Sequence, residues 1–182
     1  MRSPRTTTRG VTLVSLAMIG LAGCGEPAVD LDIPAREASG DVLDTSDLLG
    51  DDIAVRLEEF EVSTGLDAVA LTYESDQASR GEASRAGQLL IERWGADLAL
   101  VAVARPGDFA STVVDREDPE DRRRYFGVEP GDPFAVSGDL RERVVEGIVP
   151  PIAAENRWGD VFQTAVEELQ QGLLSDRKSG AS

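Results

Sequence analysis

Seven consecutive residues, Leu98 to Ala104 (LALVAVA), are apolar without exception. A strand with one wet face alternates apolar and polar side chains, so a strand apolar at every position is covered on both faces. That requirement calls for helices on each side of a sheet, and the rest of the chain supplies them. Ile53, Leu57 and Phe60 stand at i, i+4 and i+7 in a helix over 51–63, with Asp51 and Asp52 at its positive end and Gly65 as its stop. Ala86, Leu90 and Trp94 stand four apart in a second helix, Glu82–Trp94. Leu140, Val144 and Ile148 share a face in a third, Leu140–Val149, which Pro150 and Pro151 end. Asp160 and Gln163 read as a capping pair opening a last helix striped by Phe162, Val166, Leu169 and Leu173. Ala68–Tyr73 and Phe109–Val114 read as further strands, the latter joined to LALVAVA by the Pro106-Gly107 turn, and residues 115–136 read as irregular and charged. The expected fold is α/β: a single layered domain with a mixed sheet of about four strands and helices on both faces.

The N-terminal segment is of another kind. Arg2, Arg5 and Arg9 precede an apolar run from Val11 to Ala22, which is about a dozen residues and short of the roughly 20 a spanning helix needs. Positive start, short apolar run and small residues are the order of an export signal. The run closes Leu21-Ala22-Gly23-Cys24, which resembles the bacterial lipobox, in which the cysteine is diacylated and becomes the new N-terminus. The expected organisation is therefore a lipoprotein signal over 1–23, lipidated Cys24 with a flexible tether to residue 41, a domain over 42–176, and a frayed tail over 177–182. Two acyl chains give stable attachment, so the expected place is the extracytoplasmic face of a cell membrane.

Charge and missing residue types narrow the chemistry. The chain carries −16, and without Arg2, Arg5 and Arg9 it keeps 15 Lys and Arg against 34 Asp and Glu, or −19. Such a surface repels a phosphate backbone, which excludes nucleic acid as a partner. With no histidine, a Ser-His-Asp triad and an HExxH zinc site are excluded. With one cysteine, so are an intrachain disulfide and a thiolate cage. A bound metal would be a hard cation on oxygen ligands.

VLDTSDLL (Val42–Leu49) leads to a helix ending VSTG and then the strand DAVALTY. RWG (Arg93–Gly95) stands just before LALVAVA. VVEGIVPPIAAENRWGDVFQTAVEELQQGL (Val144–Leu173) reads as helix, proline, short turn and final helix. In order and spacing these three stretches resemble the TPM domain family of thylakoid-lumen phosphatase, photosystem-repair and receptor-auxiliary proteins, over about Val42 to Leu174. The resemblance implies an acidic pocket near the third strand, with Asp44 as the opening acid and Asp108 in the turn after that strand. The family's Gly-Tyr-Gly-Leu-Glu-like segment is replaced here by the longer, charged VVDREDPEDRRRYFGVEPGDPF (Val113–Phe134).

Asp44 and Asp108 are accordingly the candidate metal ligands, and a weakly held Ca²⁺ the candidate cofactor. Two carboxylates fall short of the three or more oxygens that hold a catalytic cation open to water and substrate. The acidic run Asp115, Glu117, Asp118, Glu120 and Asp121 lacks the Gly and terminal Glu of an EF-hand and reads as a solvated loop. Arg122–Arg124 read as neutralising it, and Trp94 and Trp158 as core anchors. The expected function is a membrane-anchored interaction or accessory module of a cell-envelope complex, with a metal-dependent phosphatase of the envelope as the alternative.

Overall fold

The computed structural model describes residues 29, 31–36, 40–110 and 123–180. The signal, Cys24 and the acidic run 115–121 lie outside the described residues. The architecture is α/β, with one mixed four-stranded sheet between two helical layers. Strands β1 (Val42–Asp44), β2 (Ala68–Glu74) and β3 (Leu98–Ala104) are parallel and adjacent in that order. β4 (Arg124–Pro130) closes the row antiparallel to β3, with Leu100 opposite Val128.

The apolar run does what its composition requires. Leu98, Leu100, Ala102 and Ala104 face one core with α1 (Asp52–Thr64), α3 (Gly138–Glu142), α4 (Val149–Ala154) and α5 (Trp158–Gly180). Ala99, Val101 and Val103 face the other core with α2 (Arg80–Trp94). All seven are at 0% exposure, so any polar replacement there is isolated from water on either face. Helix ends follow the sequence. Gly65 and Gly95 adopt left-handed φ of 69° and 72° and close α1 and α2, and Ser79 Oγ accepts the Glu82 N–H at 3.2 Å to open α2.

The two parallel crossovers step the same way along the sheet, yet α1 and α2 lie on opposite faces, so they have opposite hands. One of them therefore departs from the usual right-handed rule. α2 packs over β3 and β4. A Cβ on Gly87 would come within 2.8 Å of Glu129 Cγ and 3.2 Å of Val101 Cγ2, so glycine permits the close approach. The β1–β2 side of that face is covered differently. Val29, Leu31 and Ile33 pack against the α2-side core, together with Leu43 of β1.

Within the span 24–41 read as a tether, the described residues 31–36 form a strap on the domain. Arg36 Nη1 and Nη2 donate to the two oxygens of Asp67 at 2.6 and 2.8 Å, and Nη2 also reaches Asp41 at 2.5 Å. The Asp67 and Asp41 bonds raise the Arg36 pKa, against burial that lowers it. Its guanidinium lies 5.9 Å from the centre of the Trp94 ring, whose Nε1 donates to the Pro34 carbonyl at 2.9 Å. Trp94, partly buried, packs against the α2-side core and also docks the strap, whereas Trp158 is buried, edge-on to Phe109 at 4.9 Å.

Further expectations are corrected. The fourth strand is Arg124–Pro130, inside the stretch read as irregular; Phe109 and Ala110 belong to a turn, and 111–114 lie outside the described residues. Phe109 is buried by a contact from a turn, which mimics a strand signal in sequence. Pro150 and Pro151 do not end a helix. They occupy the first turn of α4, after a π-helical segment, Arg143–Ile148, in which Val149 N–H reaches back to Val144 O. Proline is tolerated at a helix start because its missing donor is not needed there. Asp160 and Gln163 do not form a cap: α5 begins at Trp158, Asp160 pairs with Arg157, and the Gln163 amide donates to Asp52. α5 also continues through Arg177, which donates to the Thr64 carbonyl, so the described part of the expected tail is helical.

Candidate functional site

The parallel strands point their C-terminal ends the same way, and there the two candidate acids stand. Asp44 is the last residue of β1, in register with Thr72 of β2. Its Oδ2 accepts the N–H groups of Leu48 and Leu49 at 2.8 and 2.7 Å, and Oδ1 accepts the Thr72 hydroxyl. Thr45 adds N–H and hydroxyl bonds to the Thr72 carbonyl, at 3.1 and 2.8 Å. Asp47 takes a left-handed φ of 53°, which turns the loop back so that both amides face Asp44. Asp44 therefore holds the loop that starts α1.

Asp108 lies in the turn after β3 and is fully buried. Its N–H donates to Arg105 O at 2.8 Å and its Oδ2 accepts the Arg123 N–H at 2.9 Å. Arg105 N–H in turn donates to Arg123 O at 2.8 Å. The carboxylate ties the exit of β3 to the entry of β4. Glu74, at the end of β2, accepts Gly107 N–H at 2.9 Å in the same turn.

Asp44 and Asp108 stand at one end of the sheet, Asp44 closing β1 and Asp108 in the turn beyond β3, with β2 between those two strands. Asp44 accepts backbone N–H bonds from its own turn, and Asp108 accepts one from Arg123 at the entry of β4. Among the described residues no three Asp, Glu, Cys or His side chains gather in a way that would hold a metal ion. Of Arg122–Arg124, Arg122 lies outside the described residues. Arg124 bonds Asn156 and lies 5.9 Å over the Trp158 ring. These guanidinium contacts position the start of β4.

The feature that sequence reasoning missed lies on the other side of β4. A hollow of about 370 Å³ opens between its edge and the π segment and α4, lined by Phe126, Val145, Val149 and Trp158, with Arg80 and Arg124 as its charged residues among those described. A second, about 320 Å³, continues along Gly127, Val128 and Glu129. Its sequence signal was the apolar alternation of Phe126 and Val128, diluted by the charges and glycine around them.

Buried acid chemistry occurs once more, beneath α2. Glu82 is 2% exposed, and Oε2 has no hydrogen-bond partner among the described residues. The Tyr73 hydroxyl donates to the Glu82 carbonyl at 3.4 Å. Burial first, then the Glu82 carboxylate, pushes the Tyr73 phenol above its ordinary value.

Two solved structures share this fold. The N-terminal domain of a protein from P. gingivalis superposes with a TM-score of 0.52 at 16% identity, over 76% of this chain and 84% of that one. The N-terminal domain of the cg2496 protein from Corynebacterium glutamicum gives 0.52 at 11% identity, over 81% and 88%. No protein-family model matches the chain, and no curated protein matches it.

Proposed function

We propose that this chain is a TPM-type lipoprotein whose domain serves as an interaction or accessory module of a cell-envelope complex, anchored by lipid on Cys24. The observation that carries the non-enzymatic reading is the use of the two acids: Asp44 holds Leu48 and Leu49, and Asp108 holds Arg123, so both carboxylates do the work of turns. The strap supports the anchored reading. Only residues 25–28 separate Cys24 from Val29, which packs on the core, so a lipid on Cys24 keeps the domain within about 17 Å of its anchor. Among the described residues no helix is long and apolar enough to cross a membrane, so lipid is the attachment proposed.

The test is hydrolysis of a generic phosphomonoester by the purified chain with Ca²⁺, Mg²⁺ or Mn²⁺. Turnover at background is expected, with at most a small rise in melting temperature from calcium. Metal-dependent turnover that disappears in Asp44→Asn with Asp108→Asn would replace this reading by the envelope phosphatase.

A further inference from the structure

β4 is an edge strand. Its partner β3 takes one side, and among the described residues no strand pairs with the other. The register decides which groups are left. Arg105 N–H bonds Arg123 O and Gly131 N–H bonds Asp97 O, so the hydrogen-bonded pairs fall at 105–123, 103–125, 101–127, 99–129 and 97–131. Arg124, Phe126 and Val128 then turn their N–H and C=O groups outward. The first hollow lies against Arg124–Phe126 and the second against Gly127–Glu129, so the two follow this edge along its length.

The chemistry along the edge is uneven. Within a chain of charge −16, the charged residues of the first hollow, among the described residues, are two arginines, Arg80 and Arg124, beside the apolar Phe126, Val145, Val149 and Trp158. Arg124 opens β4, and Arg80, at the start of α2, lines both hollows. In the second hollow Arg141 Nε is buried with no partner among the described residues. Arg80 meets Glu146 of the π segment at 2.7 Å, with side chains 75% and 50% exposed. Such an ion pair is worth little in water, so an incoming carboxylate exchanges with Glu146 at small cost.

We propose that this groove binds the C-terminal end of an extended peptide, added to the sheet antiparallel to β4. Its terminal carboxylate meets Arg80 and Arg124, an apolar side chain near the terminus fills the hollow over Phe126 and Val149, and its backbone pairs with Phe126 and Val128. Strand addition draws affinity from backbone bonds and selectivity from pockets for alternate side chains. The antiparallel sense follows from charge: it brings the carboxyl terminus to Arg80 and Arg124 in the first hollow and away from the second, where Glu129, Glu142 and Glu146 outnumber Arg80 and Arg141. The proposal rests on the interaction-module reading and names its surface and partner class.

The test uses the full chain as its host processes it, in a nanodisc if lipidated and free in buffer if not, so the groove is read independently of the anchor. The probes are a positional-scanning array of six-residue peptides with free C-terminal carboxylates, the same array amidated, and dodecanoate. Binding at least tenfold tighter to the free-carboxylate array is expected, with an apolar preference near the terminus. Arg80→Ala, at an exposed position that leaves folding intact, should weaken it about tenfold, and Val145→Arg should fill the groove and abolish it. Residue-resolved hydrogen exchange should slow at the Phe126 and Val128 amides on binding, with the already paired Tyr125 and Gly127 little changed. No peptide binding at 1 mM, equal binding of amidated peptides, or dodecanoate binding without slowed exchange at Phe126 and Val128 would each overturn the proposal.

Discussion

Replacing Arg36 by alanine removes the clasp between the strap and the sheet. Three charge-assisted hydrogen bonds go, two to Asp67 and one to Asp41, together with the guanidinium over Trp94. Bonds of this kind contribute about 1.5–3 kcal/mol when protected. Here the side chains of Arg36, Asp67 and Asp41 are 23%, 24% and 28% exposed, and solvent screening reduces the sum. The loss should be about 2 kcal/mol, including repulsion between the two aspartates left behind. Because the strap packs through few residues, it should open locally before the domain unfolds. A loss of that size raises the open fraction about 30-fold. Hydrogen exchange over 31–36 should accelerate accordingly, and Trp94 fluorescence should shift toward that of a solvated indole. Arg36→Lys, which keeps the charge but loses the bidentate fork, should fall between the two. Exchange over 31–36 within twofold of the parent in Arg36→Ala would refute the clasp.

Val101→Asp places a charge at a position with no exposure in the middle of β3 and should unfold the domain, seen as loss of the cooperative urea transition. Tyr73 titrates above its ordinary value of 10.0 in the fold, so the folded state holds that proton more tightly than the unfolded chain. The resulting stability is complete below pH 10 and drains as pH rises beyond it; Tyr73→Phe should flatten this alkaline limb of the urea midpoint, and an unchanged limb would count against it. Asp44→Asn should speed exchange at the Leu48 and Leu49 amides without unfolding the sheet, because a neutral amide oxygen is the weaker acceptor.

The parts legible in the sequence were those in which one side-chain pattern determines one environment. LALVAVA demands two covered faces whatever its neighbours, and Gly65 stops its helix where left-handed φ is needed. β4 hid because an edge strand needs only one buried row. In RYFGVEP that row is Phe126 and Val128, while Gly127 and Glu129 serve the approach of α2. The strap hid for the opposite reason: the alternation Val29, Leu31, Ile33 was present, but the prolines and acids around it read as linker. At the candidate site the sequence offered Asp44 and Asp108 as two loop acids, and they stand at one end of the sheet. Their use was not legible, because the amides that bond Asp44 depend on the left-handed turn at Asp47, and the amide that bonds Asp108 arrives from Arg123 across a segment outside the described residues.

Anchoring through Cys24 is the claim from which the proposed function follows, and the mass of the mature N-terminal peptide tests it most directly. Membranes from cells producing the chain would be extracted, the protein digested, and its first peptide weighed. The predicted result is a peptide that begins at Cys24 and carries the added mass of its acyl chains, absent in Cys24→Ser, which leaves the membrane fraction or stays uncleaved. A first peptide that begins elsewhere, or an unmodified Cys24 in a chain still bound to the membrane, would contradict it.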